Sequence, residues 1–203
     1  MAPLTSRRGA LSSAALRVNG ILPRADGPPL GALTALLNSR AVDFAFRRGA
    51  APLQNGFFTA NKQFIAWLPV PDKLSDELAV AGDRLHDVAA RAQAERAGFL
   101  HWLGSIAGTR LHGLAGATKL GSYADTGPEA VLGVLDLNAS RLKVDPRKRV
   151  EREHITTETH ASAARVRQLR GELARVEHAV DAIVYDAYGL SAAQQRRIEA
   201  EYV

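Results

Sequence analysis

A chain of 203 residues and 21.8 kDa, 46% hydrophobic and 23% charged, can bury one sizeable core or two small ones, and is too short for a multidomain enzyme. It has no cysteine, which excludes disulfides, thiolate metal sites, iron–sulfur clusters and cysteine nucleophiles and fits an intracellular, cytoplasmic setting. The net charge of +5 is unevenly spread: residues 1–50 carry seven basic and two acidic groups, 51–140 seven and nine, 141–175 ten and five, and 176–203 two and five. Two basic blocks therefore alternate with two acidic ones, a distribution that bears on a polyanionic partner more than the total does. No stretch has the roughly 20 apolar residues of a bilayer-spanning helix, and Met1 to Leu16 lacks a continuous apolar core, so neither a membrane span nor a signal peptide is expected.

In chain order, residues 1–15 read as poorly ordered, and Arg17 to Leu22 as a short strand with a turn at Asn19-Gly20. Leu33, Leu36, Leu37, Ala41 and Phe44 form one helical face. After Pro69-Val70-Pro71, Leu74, Leu78, Ala81, Leu85, Val88 and Ala92 repeat at spacings of 4, 3, 4, 3 and 4, before Glu95 interrupts and Phe99 and Trp102 resume. This predicts a long helix. The glycine-rich stretch from Gly104 leads to a helix over Pro128 to Asn138, with Val131, Leu132 and Leu135 inward, and then to a basic segment with a turn at Asp145-Pro146. A second seam, Val166, Leu169, Leu173, Val176, Val180, Ile183 and Ala187, predicts a helix from about Thr157 to Tyr188, stopped by Gly189 in a left-handed conformation with Leu190 as its hydrophobic contact. Ser191 to Gln194 has capping-box spacing for a final short helix.

The expected fold is mainly α with a small α+β part. Residues 16–71 form an N-terminal α+β recognition segment, 72–190 two long antiparallel heptad helices with a helical and loop insertion at 104–153, and 191–203 a short helix. Two amphipathic helices of similar length most cheaply bury their stripes against each other; the alternative is two members of an ordinary bundle.

Catalytic motifs are missing. There is no Asn/Asp-Pro-Pro-Tyr/Phe motif and no glycine-rich cofactor loop of an adenine methyltransferase. Pro71-Asp72 has no downstream lysine with an acidic residue two places before it, which the common nuclease core needs. Gly116 to Gly121 has phosphate-loop glycine spacing without the lysine after it, and reads as a turn. The six histidines have no metal spacing, and no nucleophile elbow is present. No cofactor is expected on this chain.

The run from Asn55 to Pro69 mixes amides, a cation and aromatics. Side-chain amides pair with adenine edges and lysine with guanine or phosphate, so the run suits contact with DNA. It suits equally a turn capped by the amides, with Phe57, Phe64, Trp67 and Leu68 filling a core.

Leu36-Leu-Asn-Ser-Arg-Ala-Val-Asp-Phe44, the segment from Asn55-Gly56 through Asn61-Lys-Gln-Phe64 to Pro71, and Val180-Asp-Ala-Ile-Val-Tyr-Asp-Ala-Tyr-Gly-Leu190 together resemble the C-terminal target-recognition region of combined type II restriction–modification enzymes and related adenine-specific DNA methyltransferases. Asn55 stands where that family has a glycine. The resemblance implies a DNA-specificity module followed by long spacer helices. Its partners would be double-stranded DNA and a methyltransferase or nuclease, either a separate subunit or a missing N-terminal part. S-adenosylmethionine would sit only on that catalytic part. Arg40, Arg47, Arg48, Lys62 and Arg147, Lys148 and Arg149 are then the candidates for phosphates, and Asn55, Asn61 and Gln63 for bases. A rival expectation is a helical structural or interaction protein that pairs through its heptad seams, with the arginines as solvated flanks.

Overall fold

The computed structural model describes residues 27–53 and 57–202. The Arg17 to Leu22 strand, the Asn19-Gly20 turn, the first 15 residues and Asn55 lie outside them. The described helices are α1 (Leu30–Asn38), α2 (Arg40–Gly49), α3 (Lys62–Ile65), α4 (Asp76–Ala107), α5 (Tyr123–Thr126), α6 (Pro128–Leu137), α7 (Arg149–Ala187) and α8 (Ala192–Glu199), with short 3-10 turns between α4 and α7.

The long pair is antiparallel. Arg84 on α4 meets Glu172 on α7 at 3.4 Å, Glu95 meets Arg165 at 3.0 Å, and the ring of Trp102 lies 5.5 Å from that of His154, so advancing along one helix retreats along the other. At 1.5 Å per residue α4 is about 48 Å long and α7 about 58 Å. The start of α4 is set by Ser75, whose Oγ accepts from the Leu78 N–H at 3.1 Å, with Asp76 and Glu77 on the positive end of the dipole. Gly108 ends it at φ 66°, a left-handed position that favours glycine.

α7 begins eight residues before the expected Thr157. Of the eight added residues only Ile155 is buried, and Arg149, Val150, Glu153 and His154 are exposed, so no apolar stripe marks this start. The expected seam also rotates. Val166, Val176 and Val180 are buried, but Leu169, Leu173 and Ile183 are only half-buried and Ala187 is exposed, while Val184 and Tyr185 take the inward positions. A straight helix of 3.6 residues per turn drifts by about 20° per heptad from a 3.5 repeat, enough to move the stripe by one residue over this length. Past Tyr188 the expected ending is found: Gly189 at φ 61°, Leu190 N–H to Tyr185 C=O at 2.9 Å, and a reciprocal Ser191–Gln194 capping box.

Two apolar clusters hold the pair, one towards each end. The first joins Phe99 and Leu103 of α4 with Ile155, Ala163 and Val166 of α7 under a cover of Tyr123, Val131, Leu132, Val134 and Leu135. In that cover α6 matches expectation, starting with Pro128 at its first position. Asn138 then ties the glycine-rich stretch down: its side chain accepts from Ala115 N–H at 3.0 Å and donates to Ala115 C=O at 3.1 Å. The second cluster joins α1 and α2 to Leu78, Val176, Val180, Val184, Tyr185 and Ile198. There α1 lies so close to α4 that a Cβ on Gly82 would stand 1.8 Å from the Gly31 carbonyl oxygen.

The α+β part expected within 16–71 is not seen in the described residues. Between α2 and α3 the backbone makes one isolated antiparallel bridge, Pro52 with Phe58, through Leu53 N–H to Phe57 C=O at 2.6 Å and Thr59 N–H to Ala51 C=O at 2.9 Å. Pro52 has no N–H to extend a ladder, and a two-stranded ribbon without a third strand is marginal by itself. No helix among the described residues is long and apolar enough to cross a membrane.

Candidate nucleic-acid interface

The face from Leu33 to Phe44 is divided between two helices. Ser39 breaks it: its extended backbone and its Oγ, which donates to Leu36 C=O at 2.7 Å and accepts from Val42 N–H at 3.4 Å, end α1 and cap α2. Asp181 of α7 supports the same junction, accepting the Arg40 N–H at 2.7 Å and facing Arg40 Nε at 3.3 Å. Burial raises the Asp181 carboxyl above the usual carboxylate range, with both Arg40 interactions working against it.

Along α2, Arg40 and Arg47 are seven residues apart and share a face. Tyr202 sits between them, its ring centroid 5.5 Å from each guanidinium carbon, and its hydroxyl donates to Asp43 Oδ2 at 2.6 Å. Asp43 also accepts from Arg47 Nε at 2.7 Å. Burial, followed by this hydrogen bond to a carboxylate, raises the Tyr202 hydroxyl well above the ordinary tyrosine value. Arg48 stacks 3.4 Å above the Phe44 ring and pairs with Glu201, a contact that raises its own pKa and holds the Glu201 carboxyl below its usual range. All three candidate arginines of this block are thus engaged within the chain, with their side chains somewhat under half exposed.

Asn61, Lys62 and Gln63 open the four-residue α3 and are all exposed, and Asn61 makes no side-chain cap. Of the four apolar residues expected to fill a core, Phe64 is half-buried and Leu68 packs half-buried against the second cluster, but the other two are exposed. Phe57 is 68% exposed and Trp67 47%, although a Cβ on Gly49 would stand 2.2 Å from the Trp67 ring. Phe58 joins this segment to α2, edge-on to Phe46 at 6.3 Å with Arg47 5.9 Å from its centroid. The structure therefore brings Arg40, Arg47 and Arg48 together with the 57–67 segment that carries Lys62.

It does not bring in the other basic block. Arg147 and Lys148 lie before α7 and Arg149 in its first turn, exposed, with Arg149 paired to Glu153 at 2.6 Å. The expected turn is present, with Arg147 N–H on Asp145 Oδ1 at 3.1 Å. From Lys148 to Asp181, the partner of Arg40, is 33 residues of α7, about 50 Å. That span corresponds to about 15 base pairs of duplex.

Sequence reasoning missed Asp43, Asp181, Glu201 and Tyr202 as neighbours of the arginines. The four-residue spacing of Asp43 and Arg47 was a usable helical signal; nothing local connects residue 202 with residue 40. No protein-family model, curated protein or solved structure matches the chain.

Proposed function

We propose that this chain is the DNA-binding specificity module of a restriction–modification system, working with a methyltransferase or nuclease part that supplies the chemistry and binds S-adenosylmethionine. The observation that carries the reading is the meeting of the three segments on which the resemblance rests. Arg40 of the first is bound by Asp181 of the third, at 2.7 Å through its N–H, and the Tyr188 hydroxyl of the third donates to the Pro69 carbonyl of the second at 2.6 Å. Segments more than a hundred residues apart in sequence form one body, as parts of a single recognition element would. Its outer face offers Arg40, Arg47, Arg48 and Lys62 for phosphates and Asn61 and Gln63 for base edges, with Asn55 belonging to the same run. The long helices and the Arg147 to Arg149 cluster extend this body along the duplex or towards the catalytic part.

A second reading, a helical protein that docks other proteins, is favoured by the exposed apolar residues Leu53, Phe57, Trp67 and Val70 of the same segment. Fluorescence anisotropy with a mixed 20-base-pair duplex at about 50 and 200 mM salt separates the two. DNA binding by six or more phosphate contacts loses about 10³-fold or more in affinity over that range, and alanine at Arg47, Arg48 and Lys62 together lowers it further at the lower salt. Binding that ignores salt, or that survives the triple change intact, overturns the proposed face.

A further inference from the structure

We infer that the Glu201–Tyr202 turn after α8 is a built-in cover over the α2 arginines, which duplex DNA must displace before its phosphates reach them. This rests on the DNA-binding reading and adds its regulation. Five contacts support it. Glu201 presents a carboxylate to Arg48 as a phosphate oxygen would. The Tyr202 ring lies within 5.5 Å of both the Arg40 and the Arg47 guanidinium carbons, covering two cations at once. Its hydroxyl ties the turn to Asp43, and so to the carboxylate that already holds Arg47. A longer bond from the same hydroxyl reaches the Arg40 carbonyl at 3.4 Å.

The cover is poised to come off. The Arg48–Glu201 pair is 44% and 40% exposed, so water and salt screen it, and exposed pairs of this type are individually weak. The turn is short and leaves α8 within reach of its own anchor, Ile198, which is buried in the second cluster. Displacing Glu201 and Tyr202 breaks the bonds from Glu201 N–H to Ile198 C=O at 3.1 Å and from Tyr202 N–H to Glu199 C=O at 3.0 Å and lifts the Tyr202 ring off the second cluster, while the Ile198 side chain stays buried there. Opening would release Arg48 from Glu201 and uncover the sides of Arg40 and Arg47 that face Tyr202, while Asp181 and Asp43 keep their pairs with those two arginines.

The test compares wild type, Glu201→Ala/Tyr202→Ala, and Glu201→Gln/Tyr202→Phe for binding to the mixed duplex at about 50 mM salt. The second double variant keeps the ring packing while removing the charge and the hydrogen bond to Asp43; circular dichroism melting establishes that each protein is folded. The expected result is that the alanine variant binds DNA about tenfold more tightly than wild type and the Gln/Phe variant, which keeps the ring over Arg40 and Arg47, about threefold more tightly, and that alanine at Arg40, Arg47 and Arg48 abolishes the gain. Should wild type and both variants bind DNA equally, the cover is wrong and the DNA-binding reading stands. Failure of all three to bind at this salt removes both. If the alanine variant unfolds, the Gln/Phe variant decides: a gain of less than about twofold overturns the cover.

Discussion

Gly82→Ala is expected to destabilise the protein by about 1–3 kcal/mol although alanine is the better helix former. The methyl group would have to stand 1.8 Å from the Gly31 carbonyl oxygen and 2.6 Å from its carbon. These are backbone atoms, so relief requires α1 to move off α4 instead of a side chain turning away. Gly31 is constrained from the other side as well, since a Cβ there would meet the Ala79 carbonyl at 2.5 Å. A methyl group added at Gly98, on the same helix α4, would meet nothing within 4 Å, which makes that position the internal control. Gly98→Ala is expected to stabilise by about 0.5–1 kcal/mol through helix propensity alone. Thermal melting resolves the difference, since each kcal/mol moves the midpoint by about 2–4 °C in a chain of this size. Equal melting of Gly82→Ala and wild type would contradict the close crossing that seats α1 and α2.

Val166→Asp is expected to cost about 3–5 kcal/mol, because it places an unpaired carboxylate in the sealed cluster shared with Phe99, Leu103 and Ile155. Leu173→Asp should cost less than half of that. Leu173 is half-buried, and an aspartate there keeps contact with water. From the heptad pattern the two positions are equivalent; the packing makes them unequal. Urea unfolding of both variants measures the distinction, and equal losses would show that the rotation of the α7 stripe is wrong.

The long helices were legible because their apolar residues recur over many turns and their ends carry local signals. Ser191, Gly189 and Pro128 each act through groups within a few residues of themselves, so local spacing was enough to place them. The break at Ser39 was not legible, since Leu36 to Phe44 keeps helical spacing across it and the cap competes with a continuing helix on nearly even terms. The first turns of α7, before Thr157, were missed because Ile155 is their one buried residue and Arg149, Val150, Glu153 and His154 are exposed, so they carry no apolar stripe. At the candidate site, charge and the resemblance pointed to the arginines, but not to their partners in the fold. That Arg40 answers Asp181, and Arg48 answers Glu201, depends on chain reversal by α7 and α8, over separations of 141 and 153 residues that no local rule spans.

The strongest test of sequence-recognising DNA binding is selection of duplexes from a randomised pool by the folded chain at about 100 mM salt, followed by sequencing of the retained molecules. Specificity predicts enrichment of one short site bound at least about 10³-fold more tightly than mixed duplex. A retained pool that stays random, or no retention at all, would contradict it.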